Sequence, residues 1–502
     1  MKKYQKMEMQ IIKMNQKSLF KNSIYKALLS FANIVVPIII GPYITKLLDV
    51  ELYGAYNKVY SEFQVFLIFA TFGIYTFGVR GISKVRDNPE KLSELFTNLF
   101  LLGIITNTIT GIVYVIYSII SSSGITQSIY LIFIIQIIAN VFYIEFLNEA
   151  LENYKFITLK TLIVKILYLV LLLTLVKKAD DIIAYSFIIS FIVFLNNIIS
   201  YIYVRRRIKF DFKKIQFKKY IKPLFLVLII TNVEILYSQL DRIMLGKFVN
   251  DVSVTMYYIP YYIVSTLAAI PYSIINVSIP RLSYIVETEG KEVYKNTLNK
   301  SASSLLFIIL PMCIGLIALA PEVIFIYSGN KYPGMVGILI LACIIRVIIS
   351  IESVMTNLVL YANNKEKQLA QFTFIFGLCN LIMNSILVWT KTFTPFTAML
   401  TTGLAEIMLC FTQYFYIKNK LNINLVIFSK QNFTYLLLAL FFIPISLAVK
   451  AINLGYYINI AVIIILCVLL YAGYLYFGKD PNLSMILDKT IGKILKKGDK
   501  NE

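Results

Sequence analysis

Apolar stretches follow one another along most of the chain, from Ser23 to Phe477, with short polar turns between them. They fall approximately at 23–46, 58–80, 94–120, 128–150, 157–176, 182–204, 223–246, 254–281, 301–327, 335–362, 368–389, 395–417, 432–449 and 456–478. A helix needs about 20 predominantly apolar residues to cross the hydrocarbon core of a bilayer. The pattern therefore predicts an all-α polytopic membrane protein with fourteen transmembrane helices. The expected architecture is two six-helix bundles around a central cavity, followed by a C-terminal helix pair. Outer connections are short, so no external domain is expected.

The 48 Lys and Arg residues test this assignment. With the N-terminus in the cytoplasm, 37 of them fall in inside segments and 8 in outside segments, while Lys165, Arg242 and Arg346 remain within spans. Short cytoplasmic loops carry the positive excess in membrane proteins, and a missed or extra helix would invert the sorting downstream of the error. Both termini are thus expected inside. The organisation that follows is an N-terminal segment (1–22), a first bundle (23–204), a basic linker (205–222), a second bundle (223–418), an added pair (419–478) and a basic tail (479–502). Such a division resembles transporters built from repeats, although no residue-by-residue repeat is visible. No short apolar region with a small-residue cleavage site follows the N-terminal segment, so no cleaved signal peptide is expected.

Composition narrows the function. Apolar residues make up 58% and charged residues 15% of the 502, with a mean hydropathy of +0.75. Soluble domains carry about 25% charged residues, so an ordinary globular enzyme is excluded. The net charge of +21 is spread over loops between spans, which argues for an orientation signal and against nucleic-acid binding. Histidine is absent, removing His bases and His-ligated metals. The five cysteines lie inside apolar segments without CxxC spacing and read as small core residues. No P-loop motif occurs, so uphill work would draw on a gradient or on consumption of the product. No cofactor or metal is expected. The linker Arg205–Lys222 interleaves nine positive charges with aromatic and aliphatic residues; it fits either an anionic inner leaflet or a solvated, topology-fixing segment.

Charges at membrane depth are expensive and tend to face a cavity or one another. Arg346 and Lys165 lie near mid-span with no acidic residue at i±3 or i±4, so they either attract an anion into a cavity or pair with a distant Glu. Glu234 and Asp241 are seven apart on one helix face, with Arg242 adjacent; they either carry a proton or cation or bond to neighbouring hydroxyls and amides. Glu406 is also mid-span, and Glu62 lies about one turn inside the outer boundary, at the height of a cavity mouth. Glu145 and Glu149 are shallow enough to be solvated. Pro37, Gly41 and Pro42 are expected to interrupt the first helix, and Pro260, Pro271 and Pro280 the eighth.

Several local stretches resemble the polysaccharide-repeat-unit (Wzx-type) flippases of the multidrug/oligosaccharidyl-lipid/polysaccharide (MOP) exporter superfamily. They are Pro42–Leu47 followed by Glu51, Tyr53 and Gly54; Gly78-Val79-Arg80 leading into Lys84–Asn88; Leu240–Gly246; Pro280–Ser283; Asn363–Lys367; and Asn380–Asn384. The resemblance covers nearly the whole chain. Departures are Lys46 where Arg is usual, Asp49 and Met256 where Gly is usual, and Thr394-Pro395-Phe396 in place of a Gly-rich turn. The resemblance implies a flippase of the bacterial cytoplasmic membrane that moves an undecaprenyl-diphosphate-linked oligosaccharide to the outer leaflet. Arg346, Lys165, Arg80 and Arg242 would then attract the diphosphate, and Glu62, Glu234, Asp241 and Glu406 would couple to a proton or sodium ion. A polysaccharide polymerase is a further partner of this reading.

Three rivals make different demands. A multidrug exporter of the same superfamily typically needs twelve spans and an acidic cavity. A polymerase or lipid-linked glycosyltransferase needs a sizeable external loop. A purely structural assembly protein would gain nothing from buried charges.

Overall fold

The computed structural model describes residues 25, 27–427, 429–453, 455–485 and 487, except for the side chains at 229–238 and 287. The expected N-terminal segment, the tail beyond 487 and the side chain of Glu234 lie outside the described residues. Two compact units divide the chain between Thr255 and Met256. Thirteen stretches of the described residues are helical, long and apolar enough to cross a membrane. A further 32-residue helix, Phe217–Phe248, occupies the place of the expected seventh span.

The first unit contains α1 (Ala27–Leu47), α2 (Val50–Thr71), α3 (Ile74–Val85), α4 (Pro89–Ser121), α5 (Gly124–Val141), α6 (Glu145–Ala150), α7 (Tyr154–Leu175), α8 (Ile182–Arg205) and α9 (Phe217–Phe248). Local chemistry sets the starts. The Asp49 carboxylate accepts from the backbone N–H of Glu51 and Leu52 at 2.9 and 3.1 Å, and Asn88 accepts from Lys91 at 3.0 Å just ahead of Pro89. Two spans are broken. Between α2 and α3 the chain turns at Phe72 and Gly73, with φ of 47° and 71°, and α5 gives way to α6 at Phe142–Ile144. A side chain at Gly73 would meet the backbone of α9, at 3.0 Å from both Leu224 O and Leu228 N, so the left-handed turn and the close approach both require glycine. A freed carbonyl at membrane depth needs a donor. That of Ala70 finds two, Thr106 Oγ1 at 2.8 Å and Asn107 Nδ2 at 3.2 Å.

The basic linker is folded onto this unit. Phe210 stacks on Phe96 with ring centroids 5.4 Å apart, and Arg205 lies over Phe210 at 4.1 Å. Thr97 Oγ1 accepts from Asp211 N, and Asn98 bonds both Lys214 O and Gln216 N. Aromatic spacing thus serves docking against α4 as well as the exposed basic face.

The second unit follows within α10 (Asp251–Thr288), then α11 (Lys291–Ala318), α12 (Ala320–Ser328), α13 (Met335–Ser353), α14 (Glu366–Trp389), α15 (Pro395–Lys420), α16 (Lys430–Leu440), α17 (Phe442–Ala451) and α18 (Tyr456–Phe477). The expected interruptions at Pro260, Pro271 and Pro280 do not end α10, and α1 likewise runs through Pro37 and Pro42. Each proline removes one ladder hydrogen bond, which a long membrane helix tolerates. Beyond Ser353, α13 widens into a π-helical segment, Val354–Leu360, with Tyr361 N donating to Thr356 O at 2.9 Å. The C-terminal helices are pinned to α11 and α12 by polar contacts. Ser303 donates to Asn432 at 2.7 Å, Tyr471 to Phe307 O at 2.8 Å, and Lys450 pairs with Glu322 at 2.8 Å. Small polar residues are the usual glue between helices in lipid, where apolar contact alone gives no preference for protein over acyl chain.

Candidate functional site

In the first unit, α2, α5, α7 and α8 surround a cavity of about 520 Å³. Lys165 projects into it from α7, between Thr161 and Tyr168. Across from it, Gln136, Asn140 and Tyr143 recur at i, i+4 and i+7 on one face of α5 and its break, and α8 adds Asn196 and Asn197. The amides are held in place: Gln136 Nε2 donates to Ser190 Oγ at 3.1 Å, Asn140 Nδ2 to Asn107 Oδ1 at 2.9 Å, and Asn197 Nδ2 to Ala139 O at 3.0 Å. No carboxylate lines the cavity, and among the described residues Lys165 forms no ion pair. An ammonium in a low-dielectric hollow without a counter-charge attracts an anion strongly. The fixed amides and tyrosyl hydroxyls beside it suit the hydroxyls of a sugar.

A second lysine of α7 has the opposite setting. Lys160 Nζ pairs with Glu145 Oε2 at 2.8 Å, and Ser200 bonds both. The side chains are 3% and 11% exposed. Sequence reading leaves Glu145 solvated, but the short α6 folds it inward against α7 and α8, where burial demands a partner.

The other candidates of this unit are dispersed. Glu62 is buried rather than at a cavity mouth; its Oε2 accepts from Tyr117 at 2.8 Å and from Tyr130, because rings from α4 and α5 close over it. Asp241 and Arg242 are buried on α9 and engaged with neighbours, whereas Arg80 is exposed on α3.

In the second unit Arg346 is 8% exposed in α13. Its guanidinium donates to Ser265 Oγ and lies over the Tyr261 ring at 5.3 Å, and Tyr272, bonded to Ser350 at 3.3 Å, faces it as well. Nε is buried without a hydrogen bond, and no carboxylate forms an ion pair with Arg346 among the described residues. α10 thus supplies hydroxyls and a ring face, which hold the charge without neutralising it. Glu406 is buried on α15 and engaged with neighbours. Sequence reading passed over Glu352, whose Oε1 accepts from Gln413 Nε2 at 2.7 Å and from Thr356 within the π segment. A Glu followed four residues later by Thr within an apolar run was the signal available.

Residues 19–286 match a family model described as polysaccharide biosynthesis protein. A protein of Shigella dysenteriae described as an O-antigen transporter is 26% identical over 384 residues, covering 74% of this chain and 93% of that one. Another so described, from Escherichia coli K12, is 22% identical over 410 residues, covering 81% and 98%. Among solved structures, the lipid II flippase MurJ in an inward closed conformation superposes with a TM-score of 0.68 at 16% identity, over 90% of this chain and 99% of that one. A multidrug resistance MATE family transporter of the MOP superfamily in its outward-facing conformation gives 0.56 at 12% identity, over 79% and 95%. At such identities the likeness is one of fold.

Proposed function

Because the chain belongs to the polysaccharide biosynthesis protein family, we propose that it is a flippase for a lipid-linked oligosaccharide, carrying an undecaprenyl-diphosphate-linked repeat unit from the inner to the outer leaflet by alternating access. The observation that supports this most is a pair of cations at mid-span, Lys165 lining a cavity and Arg346 buried, each without a carboxylate ion pair among the described residues. A membrane protein retains such charges where an anionic ligand visits, and a diphosphate accepts charge-assisted hydrogen bonds from both side-chain types. The relatives described as O-antigen transporters point the same way. The protein resides in the bacterial cytoplasmic membrane with both termini inside, and delivers its product to a polysaccharide polymerase.

The carboxylates Glu62, Glu234, Asp241 and Glu406 couple the cycle to a proton or sodium gradient in this reading. Burial of Glu62, Asp241 and Glu406 supports that role, since burial makes the charge of a carboxylate costly and a bound proton or cation removes that cost.

Flipping of a fluorescent lipid-linked oligosaccharide in proteoliposomes tests both parts. Arg346→Ala is expected to lower the rate by about a hundredfold and Arg346→Lys to retain part of it, since a point charge remains without bidentate geometry. Parental rates with Arg346→Ala would return this residue to a structural role. Glu234→Gln is expected to abolish the response to an imposed gradient; equal rates in all four combinations of gradient and variant would remove Glu234 from coupling.

A further inference from the structure

Two spaces of the first unit lie on opposite faces of α5. Asn140 faces the Lys165 cavity, whereas Ile134, Ile137 and Ile138 line an apolar groove of about 520 Å³ between α4 and α5. Ile112 and Ile116 form its other wall; they are 57% and 53% exposed, as Ile138 is at 50%, so the groove opens onto the outer, apolar face of these spans. A hollow of about 30 Å³ separates groove from cavity. Asn140 and Tyr143 line both hollow and cavity, while Asn107 and Val141 line both hollow and groove. The partition is therefore thin, and the Asn140–Asn107 hydrogen bond of 2.9 Å crosses it. Both backbone breaks of the unit meet at this place: Thr71 and Ile74, flanking the first, and Tyr143 and Ile144, within the second, line the hollow. Interrupted helices at membrane depth are where transporters place ligands and moving parts.

We propose that the α4/α5 groove holds the prenyl chain of the same lipid whose diphosphate sits at Lys165, with the Asn107–Asn140 hydrogen bond as the latch between the two compartments. This rests on the flippase reading above and adds where the tail goes. The site is polar and cationic on one side of α5 and wholly aliphatic at 112, 116, 134, 137 and 138 on the other. Its occupant must be anionic at one end and hydrocarbon at the other. An ordinary phospholipid also offers a chain, but its head stays at the interface, so its presence in the groove would be indifferent to Lys165. Opening the latch exchanges one amide–amide bond for contacts of each amide with the lipid head or with water, a small difference compared with the charge held at Lys165.

Photo-crosslinking in proteoliposomes tests this. A photo-activatable phenylalanine analogue in place of Ile112 is expected to capture radiolabelled undecaprenyl-diphosphate-linked oligosaccharide. The yield should fall roughly tenfold with Lys165→Gln, the loss of one hydrogen bond to a charged group, and persist with Lys165→Arg, which controls for folding. Labelled phospholipid should be captured weakly and equally in all three backgrounds. Glycolipid capture unchanged by Lys165→Gln, or phospholipid capture equal to that of the glycolipid, would overturn the groove assignment while parental flipping still stood. Absence of any flipping by the parent protein would instead overturn the functional reading.

Discussion

Lys160 and Lys165 lie on the same helix, yet α7 places them in contrasting surroundings. Lys160 is locked to Glu145 and Ser200, its charge neutralised within the protein. Lys165 faces a hollow whose amides are fixed by other bonds and whose walls carry no negative charge. The same residue type is thus a rivet in one place and a receptor in the other, and the carboxylate that makes the difference comes from α6, across a broken span. Arg346 stands between the two cases, wrapped by hydroxyls and a ring but not neutralised.

The contrast can be broken by moving the charges. Lys160→Ala leaves Glu145 buried without its counter-ion, and should destabilise the protein by about 3–5 kcal/mol, seen as a lower melting temperature in detergent and reduced protein level; Lys160→Met combined with Glu145→Leu should recover most of it. An unchanged melting temperature for Lys160→Ala would mean that the pair contributes nothing to folding. Lys165→Gln should leave the melting temperature close to the parent's but slow flipping by roughly tenfold, with Lys165→Arg retaining most activity. A melting temperature that falls as far as that of Lys160→Ala would erase the distinction. The smallest effect is expected at Tyr261. Replacing it by Leu should slow flipping only a few-fold, consistent with about 0.5–2 kcal/mol for a cation–π contact, and Tyr261→Phe should be near neutral. A loss as large with Phe as with Leu would assign the effect to the hydroxyl instead.

The succession of spans was legible because apolar run length is a local property, and the mid-span charges announced themselves for the same reason. What surrounds those charges was not. Tyr261, Ser265 and Tyr272 reach Arg346 from a helix that precedes it by more than 70 positions, and no local pattern links the two. Proline was not a sufficient marker of interruption: α10 runs through three of them, while the breaks of the first unit fall at Phe72–Gly73 and Phe142–Ile144, where there is none. Tertiary donors make these breaks tolerable, Thr106 and Asn107 at the first and Asn197, bonded to Ala139 O, at the second. The i, i+4, i+7 spacing of Gln136, Asn140 and Tyr143 could have revealed the polar face of α5, but it has no charge to draw attention.

The π-helical segment Val354–Leu360 has a consequence for how this chain can vary in length. A π turn closes its ladder over five residues where an α turn uses four, so the helix from Met335 to Leu360 carries one residue of slack. Deleting a residue there restores an ordinary α ladder and leaves the faces on either side in register. The same deletion inside α15 would turn every later side chain by about 100° and carry buried residues into lipid. A scan of single-residue deletions should therefore find 354–360 as an isolated tolerant window within a long intolerant helix.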